Sequence, residues 1–353
     1  MDFSSRLLSW FSQNKRQLPW RHSTDPYLIW ISEVILQQTR IDQGVAYFLR
    51  FMDSFPDVRT LAAATEGEVL RQWQGLGYYS RARNLHQAAR EMVCQGGGLL
   101  PGSYGEWLAV KGVGPYTAAA IASMAFQEPV VAIDGNGYRV LSRIFALGEN
   151  IDSARGKRAF HELASALLDP QNPGDFNQAL MDFRSLMCKP VGPLCVQCLF
   201  NRECLAFLKG SVGSYPVRKP KMESRARYFH YFLFFVTDPS RFFIQKRTGN
   251  DIWKNLYELP LLETGGPLQG EDLLSLSWWK TLFPEPGDFV FTNAPVYLKH
   301  QLTHQTIHAN FYRVRVSSEK SGELARVFTP SDEHAFEGLA KPRLIELFMN
   351  RPG

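Results

Sequence analysis

Val110-Lys111-Gly112-Val113-Gly114-Pro115-Tyr116-Thr117 sets glycines around a small apolar residue, directly before an alanine-rich run that reaches Phe126. Such a turn exposes backbone N–H groups at a helix N-terminus, where they can hold a phosphate. It also suits an ordinary helix–turn–helix joint, so both readings stand. Outward from it, residues 1 to 210 read as mostly helical. Helical spacing of apolar residues marks 57–74, 80–94, 103–110, 115–126, 135–147, 155–168 and 175–187. Asp25 is placed to cap a further helix that begins at Pro26 and carries YLIWISEVILQQT.

The texture changes near residue 210. GSVGSYPVRKPKMESRAR is polar, with Lys and Arg following Pro216, and makes 211–226 a basic linker. Beyond it, YFHYFLFFVTD, RFFIQKR and HANFYRVRV are rich in aromatic and β-branched residues and read as strands. KPRLIELFM at 341–349 reads as a last helix. A mostly α domain, 1–210, is therefore followed by an α+β domain, 227–353. At 353 residues, 45% hydrophobic, the chain has ample apolar mass for two cores. A net charge of +5 suits a nucleic-acid partner without requiring one. The N-terminus lacks the apolar core of a signal peptide, and charges interrupt every long apolar stretch. These features predict a soluble intracellular protein with no membrane partner.

Cys188, Cys195, Cys198 and Cys204 have the spacing C-x6-C-x2-C-x5-C, while Cys94 stands apart. Four thiolates this close can wrap one tetrahedral metal ion or one iron–sulfur cubane, and spacing leaves both open. Glu33 lies inside LIWISEVIL. A charge there is costly unless paired or protonated, so a raised pKa and a general-acid role are expected. A polar stripe on a helix is the plainer alternative. Asp134, in VVAIDGNGYRV, can cap a helix and act as a catalytic carboxylate at once. Two such carboxyls suit glycosidic cleavage through an oxocarbenium-like state. GLGYYSRARN, residues 75–84, interleaves aromatic and basic side chains and suits a duplex wedge or a solvated loop. His300, His304 and His308 share a face of an extended segment, as a metal triad or, more plainly, as hydrogen-bonded histidines.

Taken together and in order, WISEVILQQTR, WQGLGYYSRARNL, VKGVGPYTAAAIAS, VVAIDGNGYRV and the cysteine loop resemble the MutY adenine glycosylases. RTGNDIWKNLYELP and KHQLTHQ resemble that family's C-terminal Nudix-like domain. The resemblance implies a helix–hairpin–helix DNA glycosylase fold, a [4Fe–4S] cluster on the four cysteines, and base excision repair of adenine opposite 8-oxoguanine or guanine in duplex DNA. It implies that Glu33 protonates adenine N7 and that Asp134 stabilises or traps the oxocarbenium ion, with Asn136 and Tyr116 in support. Trp20, Arg21 and Gln178 would line the adenine pocket. Gln38 and Tyr78 would sit near the orphaned base, and Thr39 and Leu76 near 8-oxoguanine. Lys111, Gly112, Val113 and Gly114 would hold backbone phosphate. Leu302-Thr303-His304 stands where the family commonly has Phe-Ser-His, which points to Thr303 and His304 in sensing the lesion. A cytoplasmic monomer is expected, nucleoid-associated if bacterial.

Departures from the family pattern are Gly137-Tyr138 after Asp-Gly-Asn, Arg184-Ser185 for Gly-Ala before the first cluster cysteine, Leu199 after the third cysteine, and Leu302. Tyr116 stands where endonuclease III-like lyases carry a Schiff-base lysine, which disfavours that chemistry. A thymine-mismatch glycosylase can carry Tyr there but usually lacks the second domain. The metal-binding Nudix pattern is absent after LPLLE, which disfavours a nucleotide hydrolase. Glu33 and Asp134, each in a matching context, argue against a non-catalytic DNA-binding protein.

Overall fold

The computed structural model describes residues 2–220, 224–238, 240–268, 270–285 and 287–351, so linker positions 221–223 lie outside it. By internal contacts the chain divides into Met1–Ala64 with Asn84–Pro220, and Thr65–Arg83 with Lys221–Gly353.

The first unit is helical. Pro26–Leu36 begins as its sequence predicts: the Asp25 side chain accepts from Tyr27 N and Pro26 takes the first turn. Ile29, Trp30, Ile31, Ser32, Glu33, Val34 and Ile35 of this helix are all buried, so it runs through the core rather than over it. It packs on Pro115–Phe126, whose N-cap is Gly114 and whose first residue is Pro115. Gly112 in the preceding turn has φ +80, and a Cβ there would meet Asn84 Cβ at 2.6 Å, so the turn needs glycine twice over. The expected helix over 57–74 is two, Val58–Ala63 and Glu66–Gln72. Thr65 and Glu68 form a capping box at the start of the second, which belongs to the other unit.

Asn177, fully buried on the helix Pro173–Leu186, fixes the extended segment before Asp134. Its Oδ1 accepts from Ala132 N at 2.9 Å, and its Nδ2 donates to Val130 O at 2.9 Å and to Ser123 Oγ at 2.8 Å. One amide thereby ties three elements together and satisfies a buried stretch of backbone that no strand partners.

The second unit holds a sheet in which Arg225–Phe235 and Gln305–Val316 run parallel, Arg225 opposite Gln305 through Phe235 opposite Arg315. Leu261–Thr264 flanks the first of these, and Phe289–Phe291 and Val296–Gln301 pair with the second. Arg241–Lys246 forms a smaller sheet with Tyr257–Glu258 and Thr329–Asp332. Phe232, Phe234, Trp279, Phe283 and Tyr312 make an aromatic core. The last helix is Arg343–Met349. Residues 302–304 form the tip of the hairpin joining Val296–Gln301 to Gln305–Val316. Thr65–Arg83 is bound into this unit: Tyr79 Oη donates to Lys341 O at 3.3 Å, Arg83 to Lys254 O at 3.0 Å, and Asn255 to Glu66 at 2.6 Å.

Candidate active site

A cavity of about 750 Å³ opens in the first unit. It gathers Trp20, Arg21, Glu33, Gln38, Thr39, Gly112, Gly114, Tyr116, Asp134 and Asn136 from separate stretches of sequence. Gln178, half-buried, is not among its lining residues, whereas Met181, Arg184 and Ser185 of the same helix are. Lys111 and Val113 lie beside it in the turn, and the Lys111 ammonium donates to Gln87 at 2.6 Å.

Burial pushes the Glu33 carboxyl up from its ordinary range to about 7. The cations of Arg184 and Arg21 pull it down, Asp134 pushes it up, and a Tyr116 hydrogen bond favours the ionised form. The desolvation of a carboxyl on an apolar helix wins. Burial and the Glu33 charge also push the Tyr116 phenol well above its usual value, so it stays a neutral donor.

Asp134 caps Gly135–Phe145, its Oδ1 accepting from Asn136 N at 2.9 Å and Gly137 N at 3.0 Å. Arg184 forms a short ion pair with the same Oδ1, and its other nitrogen donates to Tyr116 Oη at 3.3 Å. Arg21 is held from behind by Asp182, fully buried, which also takes Arg16. Burial opposes the Asp182 charge, yet the two guanidiniums hold its carboxyl below the usual range. Arg139, also buried, donates to Asn136 Oδ1 at 2.7 Å, Arg184 O at 3.0 Å and Cys188 O at 3.0 Å. Sequence reasoning singled out none of Asn177, Asp182 and Arg139. The charge of Asp182 between the apolar Ala179-Leu180-Met181 and Phe183 was the one available signal.

The four clustered cysteines line a second, small apolar pocket with Ile144, Phe183, Met187 and Leu194. Among the described residues no group of three or more His, Cys, Asp or Glu is arranged to hold a metal ion. The donor set nonetheless fits a thiolate-bound group: the pocket lining offers sulfur and no carboxylate or imidazole. Burial pushes the Cys198 thiol up to about 11 and raises Cys195 and Cys204 as well, so a bound cluster must displace protons. Arg143 donates to Lys189 O at 2.7 Å and lies 3.5 Å from Cys188 Sγ, so a cation already stands beside the thiols.

In the second unit, Tyr78 Oη and Thr303 Oγ1 share a short hydrogen bond. His304 O accepts from Arg225 N at 3.0 Å, and Leu76 lies two residues before Tyr78 in the same turn. Gln38 and Tyr78 both have left-handed backbones, φ 58 and 47, which is uncommon outside glycine and concentrates at functional sites.

Residues 31–166 match the HhH-GPD superfamily of base excision DNA repair proteins, and residues 230–351 match the NUDIX domain. A thermostable thymine-DNA glycosylase structure is 30% identical with a TM-score of 0.55, covering 59% of this chain and 95% of that one. Fold and cavity thus define a helix–hairpin–helix base-excision protein carrying a Nudix-like domain. The mouse adenine DNA glycosylase is 41% identical over 237 residues, 64% of this chain but 46% of the mouse protein. That of Buchnera aphidicola subsp. Baizongia pistaciae is 30% identical over 309 residues, 87% of this chain and 84% of its own length. The chain belongs to the adenine DNA glycosylase family, and it spans less than half the length of its mammalian relatives.

A carboxyl near 7 in the fold and in its ordinary range when unfolded binds its proton more tightly in the native state. Stability is therefore lost as pH rises from about 4.5 through about 7, by up to about 3 kcal/mol. Glu33→Gln removes that loss. Chemical denaturation should find the variant's advantage over wild type growing between pH 5 and pH 8; an advantage independent of pH would mean that Glu33 is not held protonated.

Proposed function

We propose that this chain is a monomeric hydrolase that removes adenine paired with 8-oxoguanine, or with guanine, from duplex DNA. The observation that carries this reading is a carboxyl that keeps its proton near neutrality, Glu33, sharing one cavity with Asp134 at a helix N-terminus. The adenine glycosylases it resembles support the choice of base. A stacked adenine is out of reach, so the nucleotide turns out into the cavity. Glu33 gives its proton to N7, and the C1′–N9 bond breaks with its electron pair passing to the base. The sugar is left as an oxocarbenium ion, which Asp134 stabilises or traps until water adds at C1′ and loses a proton. Asn136 and Tyr116 steady the two carboxyls through their hydrogen bonds. Trp20, Arg21 and Gln178 are assigned to the adenine pocket, Gln38 and Tyr78 to the orphaned base, Thr39 and Leu76 to the 8-oxoguanine side, and Lys111 through Gly114 to backbone phosphate. A phenol at 116 forms no imine, so strand cleavage by a Schiff base is not part of the reaction.

We assign a [4Fe–4S] cluster to Cys188, Cys195, Cys198 and Cys204. When bound, it would organise its loop. The working boundaries are 1–210 for the glycosylase domain, 211–226 for the linker and 227–353 for lesion recognition. Among the described residues no helix is long and apolar enough to cross a membrane, and a cytoplasmic, nucleoid-associated location fits a bacterial enzyme of this kind. Thr303 and His304, at a hairpin tip hydrogen-bonded to Tyr78, can offer an acceptor to the N7 proton that 8-oxoguanine has and guanine lacks. Such a bond is worth about 1–3 kcal/mol of discrimination.

Three measurements check these assignments. Under single-turnover conditions Glu33→Gln should lower adenine excision by about 10²–10⁴ while duplex binding persists; near-normal excision would remove Glu33 from the reaction. Purified protein should be brown, with about four iron and four acid-labile sulfide per chain; stoichiometric zinc without sulfide excludes the cluster. The double change Thr303→Ala and His304→Ala should narrow the preference for A opposite 8-oxoguanine over A opposite G, and an unchanged ratio in the folded variant removes both from recognition.

A further inference from the structure

The helix Pro173–Leu186 carries a guanidinium, Arg184, in its last turn. Arg184 is largely buried, and its side chain reaches into the cavity instead of toward solvent. It meets Asp134 Oδ1 and Tyr116 Oη, and its charge lies 5.8 Å from the centre of the Tyr116 ring. The backbone beneath is fixed as well, because Arg184 O accepts from the buried Arg139. This is a built contact with three neighbours.

We propose that Arg184 is a positioning residue, a fixed cation in the cavity that Glu33 also lines, which holds Asp134 and the Tyr116 hydroxyl in place. The inference rests on Glu33 as the proton donor.

The groups facing Glu33 make the sign clear. Arg21 approaches from the N-terminal segment, already shared with Asp182 and Arg16. Tyr116 approaches from Pro115–Phe126 as a neutral donor. Asp134 approaches as a carboxylate, and Arg184 as the cation paired to it. Arg139 lines the cavity but spends its donors on Asn136 and on backbone carbonyls. Removing Arg184 takes away the cation paired to Asp134 and leaves Arg21 as the cation acting on Glu33 against the Asp134 charge. Like charges at close range push one proton on more tightly. Glu33 alone would then stay protonated to higher pH, and the pocket would lose the anchor on Asp134.

The test compares full-length, cluster-loaded wild type with Arg184→Gln, Arg184→Ala and Arg184→Lys. The Glu33 midpoint is read by carboxyl-carbon NMR titration, with the signal assigned by its loss in Glu33→Gln. The pH profile of single-turnover excision is read on a duplex carrying A opposite 8-oxoguanine. In the Gln and Ala variants the midpoint should rise by about one pH unit, a tenfold gain in proton affinity. The alkaline limb of excision should move with it, because a general acid works only below its midpoint. Lys, which keeps the charge, should return the midpoint toward wild type. An unmoved midpoint in whichever of the Gln and Ala variants is folded overturns the proposal, as does a Lys variant that behaves like Gln. If the midpoint moves but wild type excises no adenine, the role of Arg184 stands and the reading of the reaction falls. If excision is normal but the midpoint does not move, the reaction stands and the role of Arg184 falls.

Discussion

Two buried guanidiniums on one short helix hold the wall of the large cavity and the cysteine loop in a common frame. Arg139 and Arg143 sit one turn apart on Gly135–Phe145, each almost fully buried. A buried cation must find acceptors, and this one helix obtains them from backbone carbonyls of the loop: Cys188 for Arg139, and Lys189 and Pro190 for Arg143. The helix N-terminus carries Asp134 and Asn136, so the chain that positions the carboxylate is braced by the chain that carries the thiols. A shift of the loop would leave charged donors unpaired, which is why the loop's geometry and the cavity's geometry are held as one.

The proposed reaction sets two demands on the cavity against each other. A proton donor that works near neutrality needs a dry, apolar setting, and Pro26–Leu36 supplies one by being buried on nearly all sides. A site that turns out a nucleotide and stabilises a cationic sugar needs charge and polar groups. The protein separates these demands by element. Glu33 comes from the most apolar helix of the cavity wall, while the charges come from the segment around Trp20 and from the helices that begin at Gly135 and Pro173. Carboxyls and guanidiniums then pair among these charged elements, Asp182 with Arg16 and Arg21, Asp134 with Arg184.

Much of this was legible from local chemistry. Asp25-Pro26, Gly114-Pro115 and Asp134-Gly135 mark helix starts because capping is decided within a few residues. The same locality made the raised proton affinity of Glu33 readable from its apolar neighbours alone. What escaped depends on partners distant in sequence. Asn177 reads as one more polar residue until its partners at 123, 130 and 132 come together. Arg184 stood out as a departure from a familiar pattern, but its partner lies fifty residues away. The break between Ala64 and Thr65 was a local signal that went unread, since Thr-x-x-Glu is a capping box in plain sequence.

Thr65–Arg83 belongs by its contacts with residues that follow the linker, and this makes the second unit discontinuous along the chain. No single cut separates the two units: the backbone passes from one to the other at three places. A chain ended after the linker would keep Gln74, Tyr79 and Arg83 but lose Glu346, Lys341 and Lys254, against which those side chains are satisfied. The same order governs synthesis. The early segment leaves the ribosome long before its partners exist, so it must wait, exposed or provisionally packed, until the C-terminal strands arrive to close around it.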